Sequence, residues 1–159
     1  MEQTFSGQVV LIINAADDLG LSYCRHFLAR GARVIVHDRR QSCMTKLLEE
    51  LHGYRAMITH ITLDLAVVGV AEGIVNEAVI GHGKIDVLIA NRASETPVEF
   101  EQCAATQFQS ALQNHLLATI LITLAVLPHM RRRDSGRIIA TASGAGAFGA
   151  MGYAAQSAA

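Results

Sequence analysis

The sequence has no tryptophan, only two prolines and only three cysteines among its 159 residues, and 17% of the residues are charged. Cys24, Cys43 and Cys103 lie far apart, are odd in number and form no Cys-x-x-Cys pair. This pattern favours neither a disulfide framework nor a zinc site. The seven histidines show no spacing of three or four residues, so we predict no metal site. We expect a soluble protein of a reducing compartment, the cytoplasm.

Neither sign of charge dominates the sequence, whose formal net charge is -1. Such a chain offers no global field to nucleic acid or to an anionic membrane. The one basic run, residues 131–133, lies where a helix is predicted to end. Positive charge there stabilises the carbonyl end of the helix dipole, and we favour this interpretation over a phosphate-binding site. The longest apolar run, residues 116–128, is shorter than the roughly 20 residues that span a bilayer, and no signal peptide is expected. We therefore predict no nucleic-acid partner and no membrane partner.

Apolar runs of strand length alternate with helical patterns along the chain. The run Val9 to Ile13 is continuous, as expected of a strand that is buried on both faces of a parallel sheet. The predicted strands cover 9–13, 34–36, 55–63, 85–90 and 137–141, and the predicted helices cover 19–30, 41–52, 67–80 and 105–131. Five strands with four long crossovers predict an α/β fold, a doubly wound parallel sheet in three layers (αβα), as a single domain over 1–159. The Gly/Ala-rich tail, 143–159, predicts a loop that runs into another helix, or a flexible terminus.

Characteristic stretches follow the predicted strands in a fixed order. Residues 13–20 read INAADDLG after the first strand, Asp38 ends the second strand, and Asp64 lies in the stretch LDL. Residues 90–93 read ANRA, Asn114 lies in the long predicted helix, and residues 142–146 read ASGAG. In order and spacing, these stretches resemble the short-chain dehydrogenase/reductase family over the whole chain. The resemblance implies a Rossmann-type dinucleotide-binding fold.

The resemblance also implies roles for individual residues. The implied cofactor-binding residues are Asn14, Asp18, Leu19, Gly20, Asp38, Asp64 and Asn91. Asp38 stands where the family distinguishes NAD from NADP and implies NAD, although Arg39 beside it could accommodate a 2′-phosphate. Asp64 matches the acid that binds the adenine amino group of the cofactor in that family. Asn114 and Ser143 match active-site residues, and the stretch 136–146 looks most like enzymes that act on 3-hydroxyacyl thioesters.

The turn after the first strand departs from the family pattern Thr-Gly-x-x-x-Gly-x-Gly. Of the three glycines only Gly20 is present, while Asn14 can hold the positive φ of the first. Asp18, beside Asp17, puts negative charge where a pyrophosphate would rest on helix amides. At 4 Å and an effective dielectric constant near 20, one like-charge pair costs roughly 4 kcal/mol, about a thousandfold in affinity. Asp17 or Asp18 would also cap the next helix. The implied cofactor is therefore NAD, or none.

The catalytic end departs further from the family. A tyrosine is expected about thirteen residues after Ser143, and a lysine four residues after that tyrosine. The first position holds Gln156, which cannot exchange a proton, and the second would be residue 160, beyond Ala159. Tyr153 is the alternative, but Ser157 follows it by four. Without the pair, a general acid-base contribution of about 100- to 10,000-fold is lost. Ser143 and Asn114 then have an alternative interpretation as ordinary loop and helix polar residues.

The family fold continues beyond the point where this sequence stops. Without a cover, the fifth strand would expose Ile138 and Ile139 at an edge, and such edges invite pairing. The helix 105–131 is a dimer-forming element in the family. We expect either that the polypeptide continues or that a partner covers these surfaces, as a homo- or hetero-oligomer with a subunit of the same family through the helix 105–131.

Three hypotheses about function follow. The first is a catalytically impaired member that serves as a scaffold or regulatory subunit of an oxidoreductase complex, possible substrates being hydroxyacyl thioesters. The second is a working NAD-dependent alcohol or 3-hydroxyacyl dehydrogenase whose sequence is truncated here. The third is a module that binds another ligand in the crevice of the sheet. Asp18 and Gln156 favour the first hypothesis over the second.

Overall fold

A computed structural model describes residues 4–91 and 96–159 of the chain. Five strands form one parallel sheet in the order β3-β2-β1-β4-β5. The strands are β1 (Val9–Ile13), β2 (Arg33–His37), β3 (Ile58–Ile61), β4 (Val87–Ala90) and β5 (Arg137–Ala140). Each neighbouring pair is parallel, so every connection between strands is a crossover. The predicted doubly wound parallel sheet is confirmed.

Helices occupy the crossovers and the C-terminal segment. They are α1 (Asp18–Leu28), α2 (Gln41–Glu50), α3 (Val70–His82), α4 (Ala105–Ala111), α5 (Ala118–Arg132), α6 (Gly144–Phe148) and α7 (Ala154–Ala158). A π-helical segment, Leu112–Leu117, joins α4 to α5, so that Ala105–Arg132 is one helix of 28 residues, called the long helix below. Short 3-10 helices cover His52–Met57 and Phe100–Gln102.

Two apolar clusters cover the two faces of the sheet. Alternate residues of β1 point to opposite faces, since side chains alternate along a strand. Val9, Leu11 and Ile13 pack with α3 and the long helix. Val10 and Ile12 pack with α1 and α2 on the other face. All five are buried, which explains why this strand reads as a continuous apolar run and confirms the three-layer αβα architecture.

Several boundaries differ from the sequence prediction. The third strand begins at Ile58 rather than at residue 55, because residues 52–57 form the 3-10 helix. The first helix ends at Leu28 and not at residue 30, and Gly31 takes the left-handed conformation with φ 86°. The tail forms two short helices, α6 and α7, where one was expected. In each case the local hydrogen bonds at the end of the helix or strand set its boundary, and the pattern of apolar residues does not predict them.

The long helix packs one side against the sheet and leaves another side bare. Ile122 and Val126 are fully buried in the core. The exposed side carries an apolar stripe, which comprises Leu112, Leu116, Leu117, Ile120 and Leu124. By length and composition the helix could also cross a membrane, although the core helix of a soluble protein passes the same test. The predicted helix, 105–131, is confirmed to within one residue.

Asp86 joins three parts of the fold just before β4. Its Oδ2 accepts hydrogen bonds from the Val9 amide at 2.9 Å and from Lys84 at 2.9 Å. Its Oδ1 accepts a bond from Arg133 at 2.7 Å, directly after α5. Residues 131–133 therefore do lie at the end of a helix, as predicted, and the last of them also ties this end to the sheet. Partial burial opposes ionisation of Asp86, but the Val9 amide, Lys84 and Arg133 outweigh it and lower the pKa of the carboxyl.

We expect Asp86→Asn to lower the free energy of unfolding at pH 7 by about 1–3 kcal/mol, because it removes charge-assisted hydrogen bonds from a partly buried group. Because the pKa of Asp86 is lower in the folded state, the carboxylate stabilises the fold at pH values above 3.8, the ordinary pKa of an aspartate. That contribution is lost as the pH falls through the lowered pKa. Urea unfolding at pH 7 and near pH 2 checks this, since the difference from the wild type should shrink in acid. Glu50→Gln, which breaks the exposed pair with Arg25, is the control and should cost about 0.5 kcal/mol or less. An equal loss at both pH values would contradict the assignment.

Candidate functional site

The loops that follow the parallel strands meet at the carboxyl edge of the sheet. In a doubly wound sheet, ligands bind at this edge, near the point where the strand order reverses. Here the order reverses between β1 and β4, which pair directly. The residues singled out from the sequence lie on the loops that follow β1 to β5, in the helices α1 and α7 that these loops lead into, or on the long helix.

The turn after β1 is held by the chain's own side chains. Asn14 takes the left-handed conformation with φ 52° and so fills the place of a glycine, as predicted. Asp17 is the N-cap of α1, because its Oδ1 accepts the Gly20 amide at 2.7 Å. Asp18 is the first residue of α1, and Asp18 and Leu19 are both exposed. Of the two aspartates that could have capped the helix, it is therefore Asp17 that does.

Gly20 packs too closely on the preceding turn to carry a side chain. A Cβ there would lie 2.5 Å from the carbonyl oxygen of Ala15 and 2.6 Å from its carbonyl carbon. These atoms belong to the backbone and cannot swing away. Gly20 thus allows α1 to approach β1, which is the packing role that the third glycine of such a fingerprint plays.

Asn91, directly after β4, bridges the reversal point of the sheet. Its Nδ2 donates to Asp17 Oδ1 at 2.9 Å and to the Asn14 carbonyl at 3.1 Å. Asn14 Nδ2 donates back to the Asn91 carbonyl at 2.9 Å, and Thr141 Oγ1 donates to Asn91 Oδ1 at 3.2 Å. Asn91 is buried and holds three loops together. Arg92 and Ala93, the rest of the ANRA stretch, lie outside the described residues.

A polar cavity of about 110 Å³ lies beside this bridge. It is bounded by the ends of β1, β2 and β3 and by residues 110–118 of the long helix. Four of the residues predicted from the sequence line it, namely Asn14, Asp38, Asp64 and Asn114. Its volume is below the roughly 300–1,000 Å³ of a typical site for a drug-sized ligand, so it suits one small polar group.

Asp38 is 1% exposed and is already paired. Its Oδ1 accepts the Arg40 amide at 2.9 Å and Arg40 Nε at 3.1 Å, and its Oδ2 accepts Arg40 Nη2 at 3.4 Å. Hydrogen bonding to Asp38 raises the pKa of Arg40. Arg40 binds this carboxylate, and the role of Arg39 towards a 2′-phosphate stays a prediction.

His37 lines the cavity but was missed by the sequence reasoning. It is 1% exposed, and its Nε2 lies 2.8 Å from the Leu63 carbonyl. Because a carbonyl only accepts, the proton must sit on Nε2. Burial lowers the pKa of the ring, so it is neutral near pH 7 and holds the end of β2 to the loop that carries Asp64. Its position directly before Asp38 at a strand end was the one available signal.

The other two predicted cavity residues come from the loop after β3 and from the long helix. Asp64 is exposed, and its Oδ1 accepts the Ala66 amide at 2.9 Å. Asn114 lies in the π-helical segment, and its Nδ2 donates to Ser110 Oγ at 2.9 Å. Such π-bulges are frequent at functional sites, because the widened turn re-aims side chains.

The predicted catalytic residues do not share one cavity. Ser143 is the N-cap of α6, with its Oγ accepting the Ala145 amide at 3.1 Å. Tyr153 and Gln156 line a second cavity of about 30 Å³, together with Cys103 and Gln107. Gln156 is 8% exposed. Asn114 instead lines the polar cavity described above, so Tyr153 and Asn114 line different cavities.

The residues of the β1–α1 turn do not fit a dinucleotide pyrophosphate. The Gly20 amide, in the first turn of α1, already donates to the Asp17 carboxylate. Asp18 adds a second negative charge at the same helix end, where an anion would otherwise be favoured. Within residues 4–91 and 96–159, no group of three or more His, Cys, Asp or Glu residues is arranged to hold a metal ion.

We expect Asp17→Ala to lower the free energy of unfolding by about 2 kcal/mol, because it removes the helix cap and leaves Asn91 Nδ2 with one acceptor fewer. Asp18→Ala is the matched control and should cost about 0.5 kcal/mol or less, since that side chain is exposed. Chemical denaturation of both variants measures the difference. Equal losses would mean that the two carboxylates share the capping role.

Comparisons with known proteins agree on the family. A model described as short chain dehydrogenase matches residues 8–159. The peroxisomal hydratase-dehydrogenase-epimerase of Saccharomyces cerevisiae is 31% identical over 98% of this chain, and the L-fucose dehydrogenase of Bos taurus is 27% identical over 94%. The crystal structure of a short-chain dehydrogenase from Streptomyces avermitilis superposes with a TM-score of 0.85 at 25% identity over 96% of the chain.

The matches cover this chain almost fully but only part of the other proteins. The chain spans 18% of the yeast protein, 54% of the bovine protein and 55% of the solved structure. The match of the family model over residues 8–159 includes every strand of the sheet and the turn, helix and loop residues discussed above. The chain belongs to the short-chain dehydrogenase family.

Proposed function

We propose that this chain is a catalytically impaired member of the family, which acts as a non-catalytic scaffold or regulatory subunit of an oxidoreductase complex. The single observation that carries the proposal is Gln156, which stands where the family's proton-exchanging tyrosine is expected and is buried. A carboxamide neither gives nor takes a proton at neutral pH. Hydride transfer to or from a carbonyl needs such a proton donor or acceptor.

Tyr153 is a poor substitute for the missing tyrosine. It lines the small second cavity with Cys103, Gln107 and Gln156, whereas Asn114 and Asp38 line the polar cavity. Ser157, and not the lysine of the family pattern, follows Tyr153 by four residues. Both points support impaired catalysis rather than a displaced active site.

The apolar stripe on the long helix supports the subunit role. Leu124 alone is 61% exposed, and the stripe continues along the helix from Leu112. Contiguous exposed apolar surface on a folded domain marks an interaction site. A second chain of the same fold, identical or related, would cover it, and we propose a homo- or hetero-oligomer in the cytoplasm, with no nucleic-acid or membrane partner.

The alternative is a working NAD-dependent alcohol or 3-hydroxyacyl dehydrogenase. Relatives that are named dehydrogenases and are up to 31% identical favour it, as do Asp38, Asp64, Asn114 and Ser143 at the expected positions. In that case the residues after β5 would supply a proton donor other than Gln156. The substrate class that we propose for either function is the hydroxyacyl thioesters.

Two measurements on one purified sample test the proposal. Sedimentation velocity should show a multimer, and a hydride-transfer assay with 3-hydroxyacyl thioesters and simple secondary alcohols should show no turnover. Turnover by a monomer would overturn the proposal outright. Turnover by a multimer would favour the alternative function.

A further inference from the structure

The charged residues of this chain are divided between two opposite edges of the sheet. Because all five strands are parallel, they end together at the carboxyl edge and begin together at the opposite edge, called the amino edge below. The helix in each crossover runs back from the carboxyl edge to the amino edge. Helix starts therefore lie at the carboxyl edge, and helix ends lie at the amino edge.

The carboxyl edge is acidic. Seven carboxylates lie in the loops after β1 to β4 or in the first turns of the helices that follow these loops. They are Asp17, Asp18, Asp38, Asp64, Glu72, Glu99 and Glu101. Among the residues that the structure describes, only Arg39 and Arg40 bring positive charge to this edge, so that its formal net charge is -5.

The amino edge is basic. Nine cations lie in the last turns of helices, in the loops before β2 to β5 or at the starts of these strands. They are residues 131–133 and Arg25, Arg30, Arg33, Arg55, Lys84 and Arg137. Four carboxylates accompany them, namely Glu49, Glu50, Asp86 and Asp134, so that the formal net charge of the described residues here is +5. The small net charge of the whole sequence, -1, thus conceals two oppositely charged surfaces.

Helix dipoles explain only part of this division. Acids at helix starts and bases at helix ends stabilise helices, and each helix dipole opposes its flanking charges by about half a unit charge. The helices α1, α2 and α3 and the long helix together offset about two unit charges at each edge, which leaves about three. Arg33 and Arg137 begin strands and so stabilise no helix end.

The two edges are far enough apart to act as separate surfaces. The strands have four or five residues, which at about 3.3 Å per residue separates the edges by roughly 13–17 Å. At an ionic strength of 0.15 M the Debye length is only about 8 Å. A molecule that approaches one edge therefore meets the charge of that edge and not the net charge of the chain.

We propose that copies of this chain associate head to tail, with the basic amino edge of one copy against the acidic carboxyl edge of the next. A second copy is the partner that the charges support, because its carboxyl edge carries a charge equal and opposite to that of the amino edge. The contact is heterologous and leaves one free edge at each end, so that further copies can add. The inference goes beyond the proposed function and does not rest on it, since neither the apolar stripe nor turnover is involved.

Static light scattering tests the inference in the Leu124→Glu variant, which lacks an intact apolar stripe. Because exposed ion pairs are weak, we expect a monomer at micromolar concentration and association only towards about millimolar concentration. In about 0.1 M NaCl the average mass should keep rising with concentration. In about 1 M NaCl, where the Debye length is about 3 Å, the association constant should fall at least about tenfold. The wild-type chain should show the same salt-dependent growth, and that series depends on no variant being folded.

Charge reversal at each edge then locates the contact. One variant carries Arg33→Glu and Arg137→Glu at the amino edge, and the other carries Asp18→Lys and Glu101→Lys at the carboxyl edge. These four side chains are exposed, and the helix cap Asp17 is retained. Each variant alone should associate at least about tenfold more weakly than the parent. An equal mixture should form one-to-one dimers that do not grow, because the unchanged basic edge of one variant still meets the unchanged acidic edge of the other.

Two controls separate the edges from charge in general. All four changes in one chain keep the formal net charge at -1, and this variant should still lose the association. Lys46→Glu with Glu77→Lys reverses two exposed charges in the middle of α2 and α3, away from both edges, and should leave the association unchanged. Circular dichroism and thermal melting verify that every variant is folded.

Three outcomes would overturn the inference. They are no association of the Leu124→Glu variant up to millimolar concentration, an association that high salt does not weaken, and a mixture of the two edge variants that stays monomeric. None of them bears on the subunit proposal, because contact through the apolar stripe does not depend on these charges. A wild-type chain that is active and lacks the stripe contact would leave the head-to-tail contact standing.

Discussion

Turnover of 3-hydroxyacyl thioesters by this chain should stay at least about a hundredfold below that of an active family member, even in a longer polypeptide with a lysine at position 160. General acid-base catalysis contributes about 100- to 10,000-fold, and Gln156 cannot provide it. The turnover is measured as the change in nicotinamide absorbance at saturating thioester and cofactor. A rate within tenfold of the active relative would contradict this prediction.

Gln156→Tyr, combined with Asp18→Gly, should recover part of that activity in the longer polypeptide. The first change returns a phenol to the position that exchanges protons, and the second removes charge and bulk where a pyrophosphate would sit. The helix cap should survive, since Asp17 rather than Asp18 provides it.

Tyr153→Phe, added to Gln156→Tyr and Asp18→Gly in the longer polypeptide, is the matched control for the tyrosine position. We expect it to leave the recovered turnover unchanged, because Tyr153 lines a cavity apart from Asn114. A loss of all turnover in this variant would identify Tyr153 as the proton donor. The chain would then be a working enzyme with a displaced tyrosine.

Leu124→Glu should convert the chain from a multimer to a folded monomer. The side chain is 61% exposed in the single chain, so the substitution should hardly change folding of the monomer. In an interface, the same carboxylate would lose its hydration against apolar surface, which costs several kcal/mol per buried ion. Sedimentation velocity over a range of concentrations measures the shift, and circular dichroism checks the fold.

Val68→Glu is the control for a general effect of surface charge on association. Val68 is 93% exposed and lies outside the long helix, before α3. We expect this variant to sediment as the wild type does. Identical behaviour of the two variants, or a wild-type chain that is monomeric at all concentrations, would exclude the stripe as the interface.

The fold could be predicted from the sequence because its signals are local and repeated. The continuous apolar run Val9–Ile13 predicts a strand that is buried on two faces, and the alternation of such runs with helical patterns predicts a parallel sheet with crossovers. The roles of two residues in the turn after β1 could also be predicted. Asn14 was expected at positive φ and is found there, and Gly20 was expected to serve close packing and does so. The roles assigned to Asp38, Asp64, Asn114 and Ser143 in binding or catalysis stay predictions.

The partners of these side chains could not be predicted in the same way. Asn91 bonds to Asp17 and Asn14 across 74 and 77 residues of sequence, and nothing in the local pattern specifies such a distant contact. Asp38 binds Arg40 and not the adjacent Arg39, and no pattern in the sequence distinguishes the two arginines. The bond from His37 to Leu63 requires that β2 and β3 be neighbours in the sheet.

The order of the strands and helices, the family, the altered turn and the glutamine at position 156 can all be recognised in the amino-acid sequence. They follow from residue types and their spacing, which are properties of the chain before it folds. The folded structure was needed to establish that Asp17 caps α1, that Asn91 closes the reversal point, and that Tyr153 and Asn114 line separate cavities. A hydrogen bond or a cavity depends on atomic positions to within a fraction of an ångström, and the packing of helices on both faces of the sheet sets those positions.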